Sequence, residues 1–241
     1  MKPSRPSEIS VRPDESVDEF MEGRLKLIQS RKGYRFSIDA VLLSNFVSIR
    51  EGDLVVDLGT GCGIIPLILL LTRPVRFACG LEIQAELAHQ AIRNASLNGF
   101  ADRMGVVMGD IKRPPLTPFS ADVVVCNPPY RKAHSGRINP DPQRAIARHE
   151  MLASLNDFLN TSQRLLKPKG RLAVIYPAFR LVDILISMRG FDLEPKRVRP
   201  IYADAKSDSK LVLVEASSGG RKGLQILPPL IGGGISSIIS T

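Results

Sequence analysis

The segment Val55-Val-Asp-Leu-Gly-Thr-Gly-Cys-Gly63 leaves the chain few folds. Apolar and β-branched residues give way to three alternating glycines, and the apolar run Ile64 to Thr72 follows at once. The pattern predicts strand, tight turn and helix, with Pro66 in the helix's first turn, where its missing N–H is tolerated. Lacking Cβ atoms, Gly59, Gly61 and Gly63 let a ligand lie directly on the backbone and leave the amides at the helix start unobstructed. A second strand, Val75 to Leu81, ends at Glu82. An acid about 20 residues past such glycines, at the end of the next strand, is where nucleotide-binding βαβ units grip a ribose diol.

Asp57 narrows the ligand further. Dinucleotide folds usually carry glycine at that point, whereas an acid there can take a cationic amino group, which favours S-adenosylmethionine over NAD.

A second constraint is Asp122-Val-Val-Val-Cys-Asn-Pro-Pro-Tyr130, read as the reaction centre. Val123 to Cys126 suit a strand buried on both faces, and Pro128 and Pro129 cannot extend a sheet ladder. Proline fixes its own φ and holds the preceding residue extended, so the Asn127 amide is aimed and held in a stiff turn. A planar substrate amine can donate to the Asn127 side-chain oxygen and the Pro128 carbonyl while its ring lies on Tyr130. Two acceptors out of the ring plane favour a more pyramidal nitrogen, and its lone pair then points at a sulfonium methyl. Attack by a neutral amine on a cation disperses charge, so alignment and water exclusion matter more than a strong base.

The remaining chain alternates between strand and helix patterns. Gln84 to Asn98 is amphipathic, with Leu87, Ala91, Ile92 and Leu97 inward; Met104 to Met108 is a third strand; Leu152 to Leu166 and Leu181 to Met188 are helices. Leu172 to Tyr176, Arg197 to Tyr202 and Leu211 to Glu215 complete seven strands, which implies an α/β doubly wound, mostly parallel sheet with ligands at its carboxyl edge. Asp110, just beyond the third strand, either accepts from an adenine amine or satisfies its own turn.

Ahead of this domain, residues 1–22 are polar and acidic and read as a flexible arm. Residues 23–50 read as an added hairpin and helix. Leu25, Leu27 and Ile28 alternate with cations, Arg31 to Tyr34 is taken as the hairpin turn, and Ser37 or Asp39 can cap a helix facing inward through Val41, Leu42, Leu43 and Phe46. The main domain spans 51–217, and the tail 218–241 has no clear period.

The 241 residues, 44% hydrophobic and 5% aromatic, suffice for one such domain, and the formal charge of +9 attracts polyanions. Arg131, Lys132, Arg137, Arg144 and Arg148 crowd the connection after Tyr130, in a pattern suited to RNA phosphates or to a solvated loop. Cys62, Cys79 and Cys126 lack chelating spacing, and the histidines lack partners, so no metal is expected and a reducing, cytoplasmic setting is. Nothing reads as a signal peptide or membrane span. Oligomeric state stays open between monomer and homodimer.

Val55 to Gly63, Glu82 and Asn127-Pro-Pro-Tyr130 together resemble the class I S-adenosylmethionine-dependent methyltransferases that modify amines, with a Rossmann-like sheet. Arg35-Phe-Ser-Ile-Asp-Ala-Val-Leu-Leu43 and Arg144-Ala-Ile-Ala-Arg148 are similar to the bacterial tRNA adenine-N6 methyltransferases that act beside the anticodon of a valine tRNA. The resemblance covers about Gly23 to Ser217. It implies that Phe36 and Asp39 border the cofactor, Glu82 binds its ribose and Asp110 its adenine. Asn127, Pro128 and Tyr130 would carry the chemistry, and Pro129, Tyr130, Arg131, Lys132, Arg144 and Arg148 would meet the RNA. Competing acceptors are a protein glutamine amide, as in a release factor, and guanine N2 of ribosomal RNA; a non-catalytic RNA-binding module would not need Asp57, Glu82 and Asn127 together.

Overall fold

The computed structural model describes residues 10–32, 35–128 and 153–232. The glycine motif folds as expected: β3 (Leu54–Leu58) runs into the turn, and α2 (Ile64–Thr72) leaves it. β4 (Phe77–Glu82), α3 (Ala85–Leu97), β5 (Met104–Met108) and β6 (Ala121–Cys126) follow in order. After the undescribed 129–152 come α4 (Leu155–Leu165), β7 (Leu166–Pro177), α5 (Leu181–Gly190), β8 (Leu193–Tyr202) and β9 (Leu211–Ser218). Ser154 and Asp157 form a reciprocal capping box at the start of α4.

The strand order is β10-β8-β9-β7-β6-β3-β4-β5, with β11 also on β8. β5, β4, β3, β6 and β7 are mutually parallel, and β9 inserts antiparallel between β7 and β8. The seven expected strands are thus present in one mostly parallel sheet, extended to nine by two short pieces, β10 (Gln225–Ile226) and β11 (Leu230–Ile231). Each pairs with β8 over two residues, too short a contact to leave a periodic trace in the tail.

Alternation along the strands divides two cores. Val55, Val123, Val125, Ala173, Ile175 and Leu213 pack with α1 (Ile38–Phe46), α2 and α3 on one face. Val56, Leu58, Val124, Leu172, Val174 and Tyr176 pack with Phe158, Leu159, Ile184 and Met188 of α4 and α5 on the other. Helices on both faces leave the strand ends as the accessible edges.

Three local expectations are corrected. The hairpin pairs β1 (Glu15–Phe20) with β2 (Leu25–Ser30) around a turn at Met21 to Arg24, so much of the supposed acidic arm is a strand, and Arg31–Lys32 lie beyond the hairpin rather than at its turn. Met21, Glu22 and Gly23 all take positive φ there. The reason is Glu15: it is buried and paired with Arg93 of α3, whose guanidinium also reaches the Ser10 carbonyl, so an acid read as solvated anchors the strand. Second, Ile92, expected inward, is exposed, and α3 instead buries Gln90 and Asn94. Third, Ser37 occupies the N-cap of α1 without a side-chain cap bond, and Asp39 sits in the first turn.

Candidate active site

Strand register lines up the expected residues. Leu58 pairs with both Leu81 and Cys126, and Glu82 pairs with Met108, so Gly59, Glu82, Gly109 and Asn127 close four adjacent strands on one carboxyl edge. This is the edge where open α/β sheets bind ligands.

Gly59, Gly61 and Gly63 all have positive φ, which explains the glycine spacing. Their amides are not left unobstructed, contrary to expectation. Gly59 and Thr60 donate to the Leu81 carbonyl at 2.9 and 3.1 Å, Gly63 donates to Thr60 at 3.0 Å, and Gly61 donates to Glu82 Oε2 at 2.9 Å. The turn is therefore stitched to β4. Its contribution to a ligand is open space at exposed Gly59, where a β-carbon would have only Phe158 within reach among the described residues, at 3.9 Å, whereas a β-carbon at buried Gly63 would lie 2.7 Å from Met104.

Glu82 is buried, and its Oε1 accepts from Gln84 N at 2.9 Å. Both carboxylate oxygens are thus held by backbone N–H groups, with the Ile83 N–H also facing the carboxylate, and capacity to accept from a ribose hydroxyl remains. Burial pushes its pKa up, opposed by those same amide bonds.

Asp57 is more demanding. It is 1% exposed, and neither carboxylate oxygen finds a hydrogen-bond partner among the described residues. Burial raises its pKa to about 7, the nearby Thr60 hydroxyl, outside hydrogen-bond geometry, opposes the rise, and the neighbouring Glu82 charge adds to it. A buried acid without a donor is costly. Such a group suits a ligand bearing a positive charge or donors. Thr60, also buried with an unpartnered hydroxyl, completes the group. Gly80, opposite Asp57 on β4, makes room for it, since a β-carbon there would lie 2.5 Å from Thr60 Cγ2.

Beside these acids opens a cleft of about 270 Å³, including its solvent mouth, lined by Gly59, Leu81, Glu82, Ile83, Gly109, Asp110, Ile111 and Ala153. Asp110 lines the cleft and also caps its own turn, accepting from Lys112 N at 2.9 Å, which is the turn reading of the two the sequence offered. Ile83 is 41% exposed and supplies an apolar wall for a flat ring. Sequence reasoning missed Thr60, Ile83, Ile111 and Ala153. Ile83 and Ile111 each follow a singled-out acid, and that adjacency was the available signal.

Asn127 is half-buried directly after β6, and Pro128 is buried. Phe36 packs edge-on against Phe20 with ring centroids 5.3 Å apart and donates its N–H to Gln29, while Asp39 opens α1. Pro129, Tyr130, Arg131, Lys132, Arg144 and Arg148 lie outside the described residues. Burial pushes the Cys62 thiol up to about 12 and raises that of Cys126, so neither supplies a thiolate beside the cleft. Among the described residues no helix is long and apolar enough to cross a membrane.

The orphaned Asp57, the amide-held Glu82 and the cleft with its Ile83 wall fit a nucleoside cofactor that carries positive charge, on a sheet of the class I methyltransferase kind. Solved structures agree on the fold. A predicted O-methyltransferase from Agrobacterium tumefaciens superposes with a TM-score of 0.65 at 21% identity, covering 80% of this chain and 86% of that one. A geranyl diphosphate C-methyltransferase from Streptomyces coelicolor, solved with S-adenosyl-L-homocysteine, gives 0.55 at 16% identity over 74% and 79%. Residues 38–186 match the methyltransferase small domain family. Among curated relatives, the tRNA1(Val) (adenine(37)-N6)-methyltransferase of Porphyromonas gingivalis is 32% identical over 207 residues, 83% of this chain and 80% of the relative. That of Aeromonas hydrophila is 30% identical over 193 residues, 80% of each. The chain belongs to the methyltransferase small domain family, in the branch of the tRNA1(Val) (adenine(37)-N6)-methyltransferases. It is an enzyme that takes its methyl group from S-adenosylmethionine.

Proposed function

We propose that the protein methylates the exocyclic N6 amine of an adenine in a cytoplasmic tRNA. The carrying observation is the position of Asn127 and buried Pro128, at the end of the strand beside β3 and level with Gly59. Bound S-adenosylmethionine supplies an electrophilic methyl. Asp57 would meet its amino group, Gly59, Gly61 and Gly63 its backbone-hugging portion, Glu82 its ribose and Asp110 with Ile83 its adenine; Phe36, Asp39 and Asn127 would border it. Asn127 and Pro128 accept the hydrogens of the target amine, turning its lone pair out of conjugation, and Tyr130 carries the base.

The names of the relatives and the +9 charge support RNA over a protein amide. Pro129, Arg131, Lys132, Arg144 and Arg148 are proposed to position that RNA through its backbone. The test is incubation of the full chain with tritiated S-adenosylmethionine and, separately, total tRNA, ribosomal RNA or release factor, followed by nucleoside and protein analysis. Label in N6-methyladenosine of tRNA is expected. Label confined to guanine of ribosomal RNA or to protein overturns the reading.

A further inference from the structure

Phe179 is 87% exposed, the most exposed large apolar side chain among the described residues. Its place in the fold is informative. β7 runs parallel to β6 with Val174 opposite Cys126, so β7 leaves the sheet on the same edge as Asn127, one strand over. Three residues of 3-10 turn, Ala178–Arg180, follow immediately, and Phe179 is the middle one.

The mount is stiff. Ala178 N–H donates to the Lys210 carbonyl at 3.0 Å, tying the turn to the β8–β9 connection. On the other side of Phe179, the Arg180 guanidinium lies 5.1 Å over the ring of fully buried Tyr176 and meets Asp183 at 3.4 Å. The turn is thus tied through its backbone on one side of the ring and through the Arg180 side chain on the other, while the ring itself stands in solvent.

Its surroundings carry charges of both signs. β8 is antiparallel to β9, and β9 to β7, so the β8–β9 turn returns on this edge and brings exposed Lys206 and Lys210 to the same edge as Phe179. Asp204 in that turn accepts the N–H groups of Lys206 and Ser207, leaving Asp208 as its other exposed acid.

Resting on the RNA reading above, we propose that Phe179 is a stacking platform for a nucleobase neighbouring the methylated one, with Lys206 and Lys210 on the same edge facing phosphate. A rigidly mounted aromatic next to cations is how single-stranded nucleic acid is held without sequence readout, because every base offers a π-face. A base flipped towards Asn127 must leave its stack, and its neighbour then needs a new face to lie on. Val182 and Ile186, also exposed, continue the apolar surface down α5 away from this edge. Docking of another protein there is the rival use.

The experiment is steady-state methylation of tRNA by the full chain and its Phe179→Ala, Phe179→Leu and Phe179→Tyr variants. S-adenosylhomocysteine affinity, thermal melting and solution mass are measured alongside. Expected for Ala and Leu is a KM for tRNA raised on the order of ten-fold, as for loss of one stacked base. In those variants kcat, cofactor affinity, melting and mass stay near wild type, and Tyr restores the KM. A Leu variant with wild-type KM overturns the proposal, since leucine keeps the apolar surface and loses the stacking face. A fall in solution mass in Ala and Leu overturns it in favour of a protein interface. If the wild type labels no RNA, the RNA reading itself fails and the platform falls with it, an outcome visible before any variant is compared.

Discussion

Asn94 brackets Ile28 with both polar atoms of its side chain: Oδ1 accepts the Ile28 N–H at 2.7 Å and Nδ2 donates to the Ile28 carbonyl at 3.1 Å. The same Nδ2 reaches the Cys62 carbonyl at 3.0 Å, inside the glycine motif. One turn on, Asn98 does likewise with Lys26. Two asparagines on α3 thus act as the missing neighbour of strand β2 and fasten the N-terminal hairpin to the cofactor turn.

Removing Asn94 orphans three backbone groups at fully buried positions, each worth about 1–3 kcal/mol when left unpaired. Asn94→Ala should therefore destabilise the protein by about 3 kcal/mol or more in urea unfolding, and Asn98→Ala, nearer solvent, by about 1 kcal/mol. Equal costs at the two sites would contradict the burial difference.

In the proposed mechanism Asn127 acts on the target amine in the transition state. Asn127→Ala should lower kcat by 10²-fold or more, on the order of losing one oriented hydrogen bond at a reacting centre, with S-adenosylhomocysteine affinity nearly unchanged. A matching loss of cofactor affinity would remove that role.

Asp57 has a folded pKa of about 7, above the ordinary 3.8. An acid whose pKa is raised by folding stabilises below its unfolded value, and that contribution is lost as pH rises through the folded value, so the ligand-free protein should weaken from about pH 4 to 7. A cationic ligand favours the ionised form, so cofactor affinity should instead rise with pH through about 7. Calorimetric titration of Asp57→Asn across the same range should show a flat profile.

Glu15 moves the other way. The Arg93 guanidinium holds its pKa down at about 2, below the ordinary 4.5. A depressed acid stabilises above its unfolded pKa and loses that contribution as pH falls towards the folded one, so hairpin anchoring should fade between about pH 4.5 and 2. Hydrogen exchange of β1 and β2 amides checks this, and in Arg93→Met, which removes the cause of the depression, this pH dependence should disappear.

The elements legible in the sequence were those written in local pattern. α2 and β5 have the bounds that their apolar runs and flanking glycines suggest. The row of Gly59, Glu82 and Asn127 followed from where strands stop. What was missed depended on partners distant in sequence. β1 hides in an acidic stretch because the residue that anchors it is a buried glutamate, recognisable only once Arg93 is beside it. Asn94 looked like a polar residue on a helix until β2 lay against it. Donors at the glycine turn looked available until Leu81 and Glu82 took them.

By itself the sequence determined the strand–turn–helix order and the placing of Asp57, Glu82 and Asn127 at strand ends, because glycine, proline and apolar period act on the backbone within a few residues. Only the tertiary structure decided how buried polar groups are satisfied. It paired Glu15 with Arg93, gave Asn94 a strand to hold, and left Asp57 without a donor beside an open cleft. It also set Phe179, which no periodic pattern distinguishes, out in solvent one strand from Asn127. Burial and hydrogen bonding join residues far apart in the chain, and that is where local pattern stops and folding begins to decide.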